Sequence, residues 1–142
     1  MMKRTSTKQV ERSQAANYIE KARRFRSDAQ NALQLREDFS TNGLAVLCVH
    51  AAIAYVDALC IRARGAKAAS GDHTDAAALL QDSIPVRTAD DKRAVKELRA
   101  ILQQKDEVSY TARLVRREDA ARMLERLNGF AAWAEIRYAG LE

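Results

Sequence analysis

The stretch from Leu44 to Ile61 is almost entirely apolar, and only His50 and Asp57 interrupt it. Its length alone would allow a helix to cross a membrane. An aspartate near the middle of a bilayer is costly, however, and the segments on both sides are highly charged. A helix that is packed on several sides by other helices needs the same composition. The run therefore predicts the central helix of a bundle, at about 43–64, rather than a membrane span.

The rest of the chain favours further helices around this central one. Alanine, leucine, arginine and glutamate are abundant, and the 142 residues include one proline and five glycines, which is typical of all-α proteins. Apolar residues recur every three or four positions in most of the remaining sequence, as on one face of a helix. These patterns predict a single domain, an all-α, up-and-down antiparallel bundle of four to five helices. The predicted helices are at about 8–38, 43–64, 75–82, 89–112 and 117–138.

Local signals mark where some of these helices begin and end. Thr88 followed by Asp90 and Asp91 is a capping signature, and acids in a first turn interact favourably with the helix dipole. Asn128 and Gly129 lie inside the last predicted helix. Glycine costs roughly 1 kcal/mol relative to alanine in a helix, so this pair is a place where the helix can bend or end.

Charge and cysteine content indicate the compartment and the kind of partner. The net charge is +5, and most of the excess lies in the first helix. A basic face can attract nucleic acid or acidic partners, although a solvated helix face is the commoner explanation. Cys48 and Cys60 are twelve residues apart on one helix, about 18 Å, so they cannot form a disulfide with each other. Two reduced, buried cysteines and a polar N-terminus predict a cytoplasmic protein with no membrane attachment.

A candidate polar site lies on the second helix. His50, Asp57 and Arg64 occur at intervals of seven residues and therefore follow one stripe of that helix. Burying an imidazole or a carboxylate without a partner costs several kcal/mol, so neighbouring helices should supply partners. The candidate partners are Lys105, Tyr110 and Arg113. Two interpretations remain open: a polar ligand site between helices, or a buried network that fixes helix register.

A second, weaker candidate lies in the loop after that helix. Lys67, Asp72 and His73 offer a cation, a carboxylate and an imidazole, although Asp72 and His73 also fit a simple helix cap. The chain contains two histidines in all, and no cluster of histidine, cysteine and carboxylate has metal-ligand spacing. It also lacks a glycine-rich phosphate loop and a nucleophile elbow. No metal and no cofactor are therefore expected.

The order of these segments resembles the HEPN domain family over most of the chain. The segments are Tyr18-Ile19-Glu20-Lys21-Ala22, the apolar run from Gly43 through His50 to Leu59, Asp72-His73, Leu79-Leu80, and Lys105 to Tyr110. The resemblance implies a bundle of four or five helices that pairs into a homodimer. It also implies a partner such as a minimal nucleotidyltransferase, or a place in toxin, defence or RNA-processing systems.

Many members of this family are metal-independent ribonucleases, and their catalytic mark is absent from this chain. That mark is an arginine, four to six intervening residues and a histidine. The corresponding positions are 43–45 before His50 and 66–68 before His73, and only Lys67 among them is basic. The resemblance therefore implies the fold and the dimer without ribonuclease activity.

Three functions follow as hypotheses. The first is a non-catalytic or diverged homodimeric module that binds a nucleotide, RNA or a partner protein, and is not an enzyme. The second is a diverged metal-independent ribonuclease that uses His50 or His73 together with Arg64, Lys67 or Arg113. The third is a purely structural bundle that interacts with another protein.

Overall fold

The computed structural model describes residues 7–35, 41–69 and 76–141. Its helices are α1 (Ala15–Leu35), α2 (Thr41–Arg64), α3 (Ala76–Ser83), α4 (Ala89–Gln103), α5 (Lys105–Tyr110) and α6 (Arg117–Gly140). Two short strands, β1 (Thr7–Gln9) and β2 (Ala66–Ala68), and a 3-10 turn at Arg12–Gln14 complete the described part. The predicted all-α bundle is confirmed.

Helix α2 lies at the centre of the bundle. It contacts α1, α3, α4, α5 and α6 as well as β2. By length and composition α2 is long and apolar enough to cross a membrane, with a mean hydropathy of 2.2, but 78% of its most apolar window is buried inside the bundle. Packing on several sides therefore accounts for its composition. Alanines at five buried positions of α2 allow neighbouring helices to approach closely; they are Ala45, Ala51, Ala52, Ala54 and Ala58.

The N-terminal boundary predicted for the first helix is wrong. Residues predicted as helix from position 8 instead form β1, which pairs antiparallel with β2 so that Lys8 lies opposite Lys67. Gly65 ends α2 with a positive φ of 67°, a conformation that other residues rarely adopt, and its carbonyl accepts a hydrogen bond of 2.8 Å from the Val10 amide. This reversal gives the N-terminal segment a partner strand. The end predicted at residue 38 lies outside the described residues.

The remaining helices follow the predictions with two differences. Helix α4 begins with the predicted capping box between Thr88 and Asp91. The single helix predicted at 89–112 is interrupted at Gln104, and its second part, α5, ends two residues early. Helix α6 continues through Asn128 and Gly129, because core residues on both sides of the pair hold that segment in the bundle.

Polar contacts fasten α1 and α6 to this core. The Arg23 guanidinium donates two hydrogen bonds, of 2.8 and 2.7 Å, to the Glu135 carboxylate, and the buried Tyr55 hydroxyl donates a third of 3.2 Å. The hydrogen bonds from Arg23 hold the pKa of Glu135 below its usual value, while burial, with help from Glu135, raises the pKa of Tyr55 to about 12. Three helices are thus joined at one carboxylate, which gives this network a structural role.

Candidate functional site

The structure brings together one residue from each of the two candidate groups. Asp57 is buried on α2, and the Lys67 ammonium on β2 lies 3.6 Å from its carboxylate. The turn at Gly65 makes this contact, because it folds β2 back along the end of α2. Lys67, which was predicted in a loop, is therefore held on a strand.

These two residues line an open cavity of about 320 Å³. The other lining residues are Lys8, Ile53, Ala68, Ala69 and Ala76. The alanine side chains leave the space open, and the antiparallel pairing places Lys8 directly opposite Lys67. Like charges at directly opposite positions of a strand pair repel each other. This repulsion is reduced by the carboxylate of Asp57 and would be reduced further by a bound anion.

The surroundings of the cavity are basic. Lys67 also lies 5.0 Å above the ring of Tyr18 on α1, and Lys21 is near enough to act on the charge of Asp57. Burial raises the pKa of Asp57 to about 6, although Lys67 and Lys21 act in the opposite direction. Among the described residues around the cavity, three lysines thus face one carboxylate. The arrangement can attract an anion, and Asp57 can accept a hydrogen bond or a proton.

His50 and Arg64 do not join Asp57 in this cavity. Both side chains are exposed, and the His50 ring lies 5.6 Å from the ring of Phe25. The two residues are fourteen positions apart on α2, a distance of about 21 Å along the helix. The predicted stripe of three residues therefore contributes only Asp57, because the bundle covers the middle of α2 and leaves the ends of the stripe in solvent.

The expected partners of Asp57 are elsewhere. Arg113 is exposed beside Glu107 and Asp119, and its carbonyl accepts a hydrogen bond of 3.0 Å from Asn42 at the start of α2. Asn42 is fifteen residues, or about 22 Å of helix, before Asp57, so the predicted pairing of Asp57 with Arg113 is wrong.

The other residues predicted for the site divide into two groups. Lys105 is half-buried on α5. It is not among the cations that act on the charge of Asp57, which are Lys67 and Lys21. The side chain of Tyr110, and the whole of Asp72 and His73, lie outside the described residues.

Sequence reasoning missed Lys8, Tyr18 and Lys21 as site residues. Tyr18 and Lys21 are one turn apart on α1, a spacing that places them on one face, and this was the available signal. Lys8 reaches the cavity only through strand pairing with a segment almost sixty residues away, which no local pattern indicates.

Potential metal ligands do not cluster in the part of the chain that the structure describes. No group of three or more histidine, cysteine or acidic side chains is arranged there to hold a metal ion. Cys48 and Cys60 are buried, and burial raises the pKa of each thiol to about 12. Both are therefore protonated at neutral pH and belong to the core.

Comparisons with protein-family models, with curated proteins and with solved structures find no match to this chain. The fold and the site together define an all-α bundle with an open, lysine-rich cavity beside a two-stranded ribbon. We call this space the lysine cavity; its polar residues, among those that the structure describes, are Lys8, Asp57 and Lys67.

Proposed function

We propose that this chain is a HEPN-like, non-catalytic module that binds a nucleotide in the lysine cavity. The observation that carries the proposal is the juxtaposition of two lysines with one buried carboxylate at an open cavity of about 320 Å³. This volume lies in the range of small-molecule sites, which begins at about 300 Å³. The resemblance of the helix pattern to HEPN domains supports the same class of module.

The charges favour a ligand that carries a phosphate. Lys8 and Lys67 are opposite each other on the ribbon, and ammonium groups bind phosphate as point charges. Asp57 accepts hydrogen bonds when ionised, whereas a fully ionised phosphate group has no hydrogen-bond donor to offer it. A nucleotide provides a partner for both kinds of group: its phosphate would bind the lysines, and an amino or imino group of its base would donate a hydrogen bond to the carboxylate.

Isothermal titration of the full chain with the common nucleoside monophosphates tests this function. We expect binding by the wild type and at least a tenfold loss in Lys67→Met, which removes the ammonium that lies over the Tyr18 ring and keeps an unbranched side chain. Lys96→Met serves as the matched control, because Lys96 is an exposed lysine of α4 and does not line the cavity. Absence of binding by the wild type at millimolar nucleotide, or equal binding by Lys67→Met, would contradict the proposal.

One observation favours a diverged ribonuclease as the second candidate. With its pKa raised to about 6, Asp57 is a proton acceptor close to neutrality and lies beside the cation Lys67. A base for a ribose hydroxyl and a cation for the phosphate are thus adjacent. By contrast, His50 is about 21 Å of helix from Arg64. Cleavage of unstructured RNA by the wild type and its loss in Asp57→Asn would favour this candidate, and no cleavage by the wild type would exclude it.

The proposed module is a homodimer, as the family resemblance implies. Light scattering of the purified chain at tens of micromolar should give twice the mass of 15.9 kDa. A monomer under those conditions would refute the dimer and leave nucleotide binding to be judged by titration.

A further inference from the structure

Three cations form a row along the exposed face of α4. Lys92, Lys96 and Arg99 are spaced by four and three residues, so they share one side of the helix over about 10 Å of its axis. All three are exposed, and within the described part of the chain none of them forms an ion pair. We call them the α4 cation row.

The acids of the same helix are engaged elsewhere. Asp90 pairs with Arg93 at 3.3 Å, and Glu97 pairs with Arg126 of α6 at 3.9 Å. Asp91 is buried in the capping box. The charge of the row is therefore not neutralised by its own helix.

A shallow apolar groove accompanies the row. Its volume is about 480 Å³. With about 3.6 residues per turn, Val95 and Ala100 lie on opposite sides of the line formed by the three cations and Gln103. A second groove of about 220 Å³ shares Arg99 and Gln103 with the first and extends to Ala77 and Leu102. The two form a track in which positive charge runs along the middle and small or aliphatic side chains lie at the sides.

We propose that this track docks an acidic amphipathic helix of a partner protein. A second helix carrying glutamates at i, i+4 and i+7 would present them with the same spacing as the α4 cation row, and small apolar residues on both sides of the glutamates would pack on Val95 and Ala100. The small or aliphatic residues at the sides of the row permit the close approach that helix packing requires.

Nucleic acid fits the same track less well. Proteins that bind single strands stack bases on aromatic side chains, and none of the described residues that line either groove is aromatic. The regular spacing along one straight helix matches another helix more closely than a flexible strand. Among the described residues, the α4 track shares no lining residue with the lysine cavity, so this inference does not depend on the proposed nucleotide site.

A synthetic peptide tests the inference directly. The probe is a fluorescent 21-residue helical peptide with glutamates at i, i+4 and i+7 and with leucine and alanine on both sides of the glutamates. We expect fluorescence anisotropy to show binding to the full-length chain at 50 mM salt. Equal binding of a peptide with the same composition in scrambled order would overturn the proposal, as would absence of binding by the ordered peptide.

Two variants examine the two parts of the track. Replacing Lys92, Lys96 and Arg99 together by glutamine should weaken peptide binding at least tenfold. Ala100→Gln keeps every charge and fills the groove, and it should weaken binding about fivefold. Unchanged binding in Ala100→Gln would mean that only charge attraction is measured and would contradict helix docking.

Matched controls distinguish the effect of where the charges lie from the effect of the total net charge. The triple variant Arg24→Gln, Arg93→Gln and Arg122→Gln removes the same charge from exposed arginines that are already ion-paired. It should bind the peptide as the wild type does, and an equal loss would overturn the proposal. Tighter binding of an oligothymidylate of matched charge than of the ordered peptide would assign the track to nucleic acid instead. The α4 triple variant should retain nucleotide binding, so a failure here is distinct from a failure of the proposed function.

Discussion

Burial of the ionised Asp57 carboxylate in the core is electrostatically unfavourable. Its side chain is 12% exposed, and the attraction of Lys67 at 3.6 Å only partly offsets the loss of solvation. A carboxyl whose pKa rises on folding binds its proton more tightly in the folded state. Its contribution to stability is therefore fully present below pH 4 and is lost as the pH rises through about 6.

The variant Asp57→Asn should reveal this dependence. A rise of about 2 in pKa corresponds to roughly 3 kcal/mol. The free energy of unfolding of the wild type minus that of Asp57→Asn should therefore fall by at most about 3 kcal/mol between pH 4 and pH 7. Urea unfolding at several pH values measures it. Asp28→Asn is the control, because Asp28 is an exposed acid of α1. A difference that rises with pH for Asp57→Asn would contradict this account of the site.

Asp91 has the opposite character. It accepts hydrogen bonds from the amides of Arg87 and Thr88, from the Trp133 indole at 2.9 Å and from Arg137 at 2.9 Å. These bonds, led by those from the Arg87 amide and the indole, hold its pKa well below the usual range. One carboxylate thus begins α4 and also ties it to α6.

Removing this carboxylate should be strongly destabilising. Asp91→Ala leaves a capping amide and the indole N–H without their acceptor, and we expect a loss of about 3 kcal/mol in the free energy of unfolding. Asp90→Ala changes the neighbouring acid, which is exposed and pairs with Arg93, and should alter stability by less than about 0.5 kcal/mol. Thermal unfolding followed by circular dichroism compares the two, and equal losses would refute the proposed role of Asp91.

At the scale of elements, the sequence predicts a helix well where its apolar pattern is long. It does not predict a contact between residues that are far apart along the chain. Helix α2 was predicted within about two residues, because its apolar run and flanking polar residues are local signals. Asp57 was also predictable as a candidate site residue, since it interrupts that run. The strands were not, because three residues carry no usable periodicity and the pairing of Lys8 with Lys67 depends on the turn at Gly65.

Two glycines should respond in opposite ways to the same substitution. Gly65→Ala places a side chain at φ 67° and should cost about 1 to 2 kcal/mol, because the left-handed conformation is unfavourable for alanine. Gly129→Ala lies within α6, where the added methyl group meets no described atom within 4 Å apart from its chain neighbours and the adjacent backbone of its own helix, and should stabilise the chain by about 0.5 to 1 kcal/mol. Urea unfolding of both variants measures the difference, and a loss of stability in Gly129→Ala would contradict it.

For the whole molecule, the decisive feature is that one helix is shared by all the others. Helix α2 contacts α1, α3, α4, α5 and α6. Loosening either half of the bundle, α1 on one side or α4 with α6 on the other, therefore exposes apolar surface of α2. Arg23 and Glu135 link α1 to α6 as well. Both features favour a single cooperative unit, as expected for one domain of this size.

Trp133 offers a local probe of this cooperativity. It is the only tryptophan of the chain, is 7% exposed and donates its indole N–H to Asp91, so its fluorescence reports on the packing of α4 against α6. Circular dichroism at 222 nm reports on all helices. Because α2 is common to both halves, the urea midpoints from the two signals should coincide. An earlier midpoint for fluorescence would mean that α4 and α6 separate from α1 and α2 before the rest unfolds, and the single-domain prediction would then be wrong.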